Sequence, residues 1–201
     1  MENEEVIVGD MYEIGDIVET GSCGDDATYT LYDNGLLMIS GTGDVDTTDK
    51  IGKKSSQDII KVVINEGITG ISDSAFLNSN SHCRTIQTVI LSDSVTLIEN
   101  YAFSGLENIE NVSLSKNIER IGDGAFQSSE KLTRITVPDS IKSMGGWICP
   151  YAIFTILAMV PPVLTAYGSF SQTIYVPAES VDAYKAASGW SMFANIIQAI
   201  E

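Results

Sequence analysis

A lone histidine, three cysteines and one short run of aspartates are the residues here whose types invite chemistry. His82 is the only histidine in the chain, so any Ser-His-Asp or Cys-His nucleophilic site would have to use it. Cys83 is its neighbour, but adjacent side chains need not face each other, and both fall in a polar stretch that reads as a surface loop. Asp44, Asp46 and Asp49 are spaced like the start of a calcium loop. Such a loop wants glycine at its sixth position and glutamate at its twelfth, where Asp49 and Ser55 stand instead, so the match fails. Cys23, Cys83 and Cys149 are odd in number and widely separated. They offer neither a disulfide framework nor a zinc spacing, and which two could pair is left open. Cys149, close to the apolar register described below, reads as a buried, inert thiol. Gly41-Thr42-Gly43 and Gly145-Gly146 are isolated glycine groups, not phosphate loops. Glu119, Asp123 and Glu130 recur on loops as solvated carboxylates, and no pair stands out as a glycosidase dyad. The chemistry therefore points away from an enzyme: no catalytic residue, no metal ligand set and no cofactor is expected.

The elements that would have to position these residues are dominated by a repeat. Three segments align. The first runs Ile59-Ile60-Lys61-Val62-Val63-Ile64, then Ile68, Ile71 and Ala75-Phe76. The second runs Ile86-Gln87-Thr88-Val89-Ile90-Leu91, then Val95, Ile98 and Ala102-Phe103. The third runs Ile109-Glu110-Asn111-Val112-Ser113-Leu114, then Ile118, Ile121 and Ala125-Phe126. Ile86, Ile109 and Leu132 are 23 residues apart, as are Phe103 and Phe126, while the first interval is 27. The four extra residues fall in the polar stretch 78–84. A fourth unit begins with Leu132, Ile135, Val137, Ile141 and Met144, then departs, with Trp147, Ile148 and Cys149 in place of Ala-Phe. Alternation within Val112-Ser113-Leu114 predicts one short strand per unit. One unit cannot bury its apolar side alone, so stacking must supply the core.

Both ends read as caps. Ala27–Tyr32 and Leu36–Ser40 flank Asp33-Asn34-Gly35, and Asn-Gly predicts a hairpin with both turn residues at positive φ. Gly41-Thr42-Gly43 is expected to end the second strand. Near the other end, Ile174-Tyr175-Val176-Pro177 repeats the strand pattern of Ile135-Thr136-Val137-Pro138. Pro177 is expected to open a helix with Val181, Tyr184 and Lys185 on its inner side, ending near Ser188-Gly189. Trp190, Phe193, Ile196, Ile197 and Ile200 then supply apolar cover. The apolar run Tyr151–Val160 is half the length of a spanning helix and reads as a buried core segment. The expected organisation is an acidic, partly disordered segment over 1–20, a hairpin cap over 21–58, repeats over 59–154 and a C-terminal capping segment over 155–201.

Charge narrows the partners. The formal net charge is −16, and residues 1–58 hold fourteen acids against three lysines. A phosphate backbone needs a basic patch and none is visible, so nucleic acid is excluded. Met1-Glu2-Asn3-Glu4-Glu5 is unlike a signal peptide, and no transmembrane segment is expected.

The unit Ile-x-x-Val-x-Leu, followed by Ile, Ile and Ala-Phe, resembles the BspA-like leucine-rich repeats of bacterial surface proteins, including those of gut Bacteroides. The resemblance covers about residues 59–145, and Gly21–Leu31 with Asn34-Gly35 is similar to the leader that often precedes such repeats. It implies an α/β, β-dominated leucine-rich-repeat solenoid with a hairpin cap in front and a strand-helix cap behind. It also implies an extracellular or cell-surface protein that adheres to a host or bacterial surface protein or glycan. The expected contact surface is the concave face of the strands, with Val63, Thr88, Ile90, Asn111, Ser113, Arg134 and Thr136 on its outward positions. The alternative is a structural spacer without a ligand of its own, which the small number of units favours.

Overall fold

Parallel pairing at the spacing of one repeat builds the molecule. The computed structural model describes residues 14–47, 51, 57–77, 81–166, 168 and 170–201, apart from the side chains of 81 and 82. Three strands open the chain: β1 (Ile17–Ser22), β2 (Asp26–Tyr32) and β3 (Leu36–Val45). They pair antiparallel in the order β1-β2-β3 and close the front of the array. The cap thus begins at Ile17, inside the segment expected to be disordered, because Val18, Glu19 and Thr20 are part of a paired strand. The rest of that expectation, over 1–13, lies outside the described residues.

Each following coil gives one strand to a long ladder and, a few residues later, a two- to four-residue strand to a second ladder. The first coil gives β4 (Lys61–Ile64) and β5 (Ile68–Ile71), the second β6 (Thr88–Leu91) and β7 (Leu97–Ile98). The third gives β8 (Asn111–Ser113) and β9 (Arg120–Ile121), the fourth β10 (Arg134–Val137) and β11 (Ser143–Met144). The chain continues in β12 (Ile153–Ile156), β13 (Val163–Leu164) and β14 (Ile174–Val176). After a helix, α1 (Val181–Ala186), the last strand is β15 (Ile197–Ala199).

The second ladder runs unbroken from β3 through β5, β7, β9 and β11 to β13. Its inward row is Val45, Ile71, Ile98, Ile121, Met144 and Leu164. The long ladder is interrupted. β3, β4, β6 and β8 form one sheet and β10, β12, β14 and β15 another, with no pairing between β8 and β10. Val112 and Leu114, beside that gap, are only half-buried, whereas Val89, Leu91, Ile135 and Val137 are buried.

Two glycines explain where the front cap departs from expectation. Only Gly35 of the Asp33-Asn34-Gly35 loop has positive φ (79°), and its N–H donates to Tyr32 O at 3.0 Å. This is a three-residue loop closed by a left-handed glycine, not the two-residue turn that Asn-Gly suggested. Nor does β3 end at Gly41-Thr42-Gly43. Its first half, Leu36–Ile39, pairs with β4 and its last part, Gly43–Val45, pairs with β5. Gly41 at φ 116° lets the strand turn the corner from one ladder to the other, and a Cβ there would stand 2.1 Å from Asp26 O. The glycines bend the strand without stopping it.

The core is a column of stacked side chains. Phe76, Phe103 and Phe126 are fully buried and stack at centroid distances of 4.9 and 5.2 Å. Main-chain bonds hold the column in register: Phe76 N–H donates to Ala102 O, Phe103 N–H to Ala125 O and Phe126 N–H to Ile148 O. Ile148-Cys149 therefore takes the place of Ala-Phe in the fourth coil. Tyr151–Val160 is a strand-bearing coil and not merely a core segment. β12 pairs with β10 through Arg134↔Ile153, a step of 19 residues, so the expected boundary at 154/155 falls inside a strand.

An aromatic plug closes the back. Phe170 packs on Phe154, Trp190 and Phe193, and Tyr184 meets Trp190 edge-on. The buried donors are satisfied: Tyr184 Oη donates to Ala158 O at 2.9 Å and Trp190 Nε1 to Pro162 O at 2.7 Å. The helix is preceded by a short 3-10 turn, Ala178–Ser180. It buries Tyr184 and half-buries Val181, while Lys185 is exposed, contrary to the expectation for it. Lys185 follows Tyr184 by one residue, which turns it well away from the buried stripe. Ile197, expected only as cover, belongs to β15 and pairs with Ile174.

Candidate binding faces

The outward side of the long ladder carries the seven residues expected to face a ligand. Lys61, Thr88 and Asn111 form one row across β4, β6 and β8, and Val63, Ile90 and Ser113 form a second. Arg134 and Thr136 lie beyond the gap, on β10, where Thr136 continues into Thr155 and Tyr175. The seven are therefore split between two sheets. Their exposure is graded. Asn111, Ser113, Arg134 and Thr136 are exposed and Thr88 and Ile90 half-buried. Val63 is only 7% exposed, because all four residues of β4 are buried on both faces. Thr155, Tyr175 and Gln198 extend the surface and were not expected, since the shortened coils hide β12 and β15 from a 23-residue count.

Polar side chains tie one coil to the next along the edges. Asp93 Oδ1 accepts from Lys116 N–H at 3.0 Å, and Asp93 pairs with Lys116 Nζ at 3.2 Å. These bonds hold its carboxyl below the usual carboxylate range. Glu119 pairs with Lys142 Nζ at 2.6 Å. Both pairs are exposed and contribute little to stability. At the other corner, Asn100 Oδ1 accepts from Asp123 N–H and Asp123 Oδ1 from Gly146 N–H. Asp123 is thus a corner brace as well as a surface carboxylate.

The three thiols are buried and free. Cys149 takes the Phe place of its coil and its Sγ lies 3.6 Å from Leu132 O. Burial pushes the Cys149 thiol up to about 11, and burial with the Asp46 carboxylate does the same for Cys23. A thiol-specific reagent at pH 8 is expected to label none of the three in the folded protein and all three in denaturant; rapid labelling of native Cys149 would contradict the packing. The folded thiols hold their protons to about 11, against an ordinary value of 9.0. Their contribution to stability is therefore complete below pH 9 and declines as pH rises toward 11. Among the described residues no group of three His, Cys, Asp or Glu could hold a metal ion. Asp49 of the aspartate run and the side chain of His82 lie outside the described residues. No described helix is long and apolar enough to cross a membrane.

A leucine rich cell surface protein from Faecalibacterium prausnitzii is similar in structure at 16% identity and a TM-score of 0.48, covering 89% of this chain and 38% of that one. The T. pallidum leucine rich repeat protein aligns at 18% identity and a TM-score of 0.52, over 75% of this chain and 68% of that one. That likeness is one of fold. A leucine-rich repeat protein from Bacteroides capillosus shares 25% identity with a TM-score of 0.39, over 59% of this chain and 83% of that one. No curated protein matches the chain. The family described as BspA type leucine rich repeat region matches residues 46–149 in six copies. That span is just over half of the chain and contains the 23-residue register, the Phe column and both ladders of the first coils. The protein belongs to the BspA-type leucine-rich-repeat family.

Proposed function

We propose that this chain is a non-enzymatic recognition module, acting outside the cell or at its surface, that binds a protein or glycan on the outward face of the long ladder. The observation that supports this reading is the set Asn111, Ser113, Arg134 and Thr136. All four are exposed on regular strands and none spends its side chain on a hydrogen bond or ion pair among the described residues. A rigid strand scaffold fixes such groups before a partner arrives, which lowers the ordering cost of binding. A row with one arginine and otherwise neutral groups suits a neutral or mildly acidic partner.

Purified matrix proteins and arrayed glycans provide the test, with wild type and the combined variant Asn111→Glu, Ser113→Glu, Arg134→Glu and Thr136→Glu. Exposed substitutions of this kind change stability little. The variant is expected to keep the wild-type Tm within a few degrees and to lose affinity for the bound partner at least about tenfold. Undiminished binding by the variant would remove this face from consideration. The spacer reading has one structural observation in its favour: the gap between β8 and β10 divides the outward face into two smaller sheets. It predicts no saturable binding to any arrayed partner.

A further inference from the structure

At the corner that follows the second ladder, Ser74, Tyr101, Gly124 and Trp147 occupy equivalent places in successive coils, and all have positive φ, between 53° and 60°. The main chain fixes the equivalence: Tyr101 N–H donates to Asp123 O and Gly124 N–H to Gly146 O. Left-handed backbone suits Gly124, but for tyrosine and tryptophan it carries a steric cost, and such residues gather at binding sites. Neither aromatic ring pays for that cost by packing into the core. Tyr101 is 43% exposed and Trp147 is 54% exposed.

Between them lies a groove of about 430 Å³, lined by Tyr101, Asp123, Gly124, Gln127, Gly146 and Trp147, with Ala166 at its end. That volume is within the range of small-ligand sites, roughly 300–1,000 Å³. Neighbouring coils are spaced by about 4.8 Å, so the two aromatic positions, two coils apart, flank a gap of roughly 10 Å. Gly124 forms the floor: a Cβ there would stand 2.5 Å from Tyr101 Cε1, so the tyrosine ring leans over the glycine. Polar capacity around the groove is unspent. Asp123 uses Oδ1 to brace Gly146, and among the described residues Oδ2 has no partner. The same holds for the Gln127 amide, Tyr101 Oη and Trp147 Nε1.

We propose that this groove binds a neutral sugar, as a subsite for one or two pyranose rings of a glycan. It rests on the recognition reading but sits on a different surface from the long-ladder face. The chemistry selects the class. An exposed indole and a phenol ring offer flat apolar platforms for the C–H face of a sugar. Asp123 and Gln127 accept from hydroxyls, and Trp147 Nε1 donates to a ring or glycosidic oxygen. The lining contains one carboxylate and no cation, which disfavours uronic and sialic acids. A proline-rich peptide would also meet the aromatic rings, but it has few N–H groups to satisfy the Asp123 carboxylate, whereas a sugar is rich in donors.

Intrinsic fluorescence is a direct readout, because Trp147 is exposed while Trp190, the other tryptophan, is fully buried. The full chain is titrated with the neutral hexasaccharides of cellulose, laminarin, xylan, mannan and chitin, and separately with a decaproline peptide. At least one sugar is expected to shift the emission saturably. Trp147→Ala and Tyr101→Ala, followed by calorimetry, are expected to weaken that sugar at least about tenfold. Trp147→Gly relieves the left-handed backbone, so it should keep or raise the Tm while losing the sugar, which separates lost binding from lost folding. The glutamate variant of the long-ladder face should bind the sugar as wild type does. No saturable binding to any of the sugars, sugar binding that survives Trp147→Ala, or binding of decaproline alone would each overturn the proposal.

Discussion

Replacing Phe103 by alanine is expected to lower the unfolding free energy by about 3–5 kcal/mol. The residue is fully buried, and its ring is the middle member of a three-ring column, in contact with Phe76 at 4.9 Å and Phe126 at 5.2 Å. Alanine removes the ring from both contacts and leaves a cavity between coils whose main chains are fixed by the bonds from Phe76 N–H and Phe103 N–H. The coils cannot close the cavity without breaking those bonds, so little relaxation offsets the loss. A domain of this kind has only about 5–15 kcal/mol in total. The Tm should fall by roughly 10 °C or more. Urea and thermal melts followed by circular dichroism measure both quantities, and a loss under about 1 kcal/mol would mean that the column is not what binds the coils.

The second large effect is expected at the opposite end, and of a different kind. Trp190→Ala removes the centre of the plug and the donor that satisfies Pro162 O at 2.7 Å. The contacts to Phe170 at 5.6 Å and Tyr184 at 5.2 Å go with it. The direct cost is again about 3–5 kcal/mol. Because each coil touches only its neighbours, this damage stays local. Hydrogen exchange should show amides of β14 and β15 losing protection while those of β4 to β7 keep it. Unfolding should then cease to be two-state, with an early loss of near-ultraviolet signal from the plug. Trp190→Phe keeps most of the packing but strands the Pro162 carbonyl, and should cost about 1–3 kcal/mol. Uniform loss of protection along the chain would contradict the local picture.

The repeat was legible because apolar spacing and coil spacing coincide over Ile86, Ile109 and Leu132. The Phe column follows from the same count, since Phe103 and Phe126 share it. The second ladder was not legible, because strands as short as Leu97–Ile98 or Arg120–Ile121 are too brief to show alternation. β12 escaped for another reason: its coil is shortened to 19 residues, and its alternation is set in a continuous apolar run. Gly41 and Gly43 were read as a stop, yet positive φ at both allows a corner, and only the partner strands distinguish the two outcomes. Among the site residues, the outward alternation of Asn111, Ser113, Arg134 and Thr136 could be read directly. Val63 could not, since burial of both faces of β4 is a tertiary fact. The corner groove left a trace in the 23-residue interval from Tyr101 to Gly124 to Trp147. It carries meaning only once the backbone is known to be left-handed there.

The missing pairing between β8 and β10 gives the array uneven stiffness. On one side the third and fourth coils are stitched through β9 and β11; on the other they are held by side chains alone. The two halves are therefore bound like the boards of a book, with the second ladder as the spine. Bending that opens the long-ladder face breaks no main-chain bond at this junction, while bending the other way must. The molecule can thus alter the angle between its two outward sheets cheaply, and a partner spanning Ser113 and Thr136 would lock that angle.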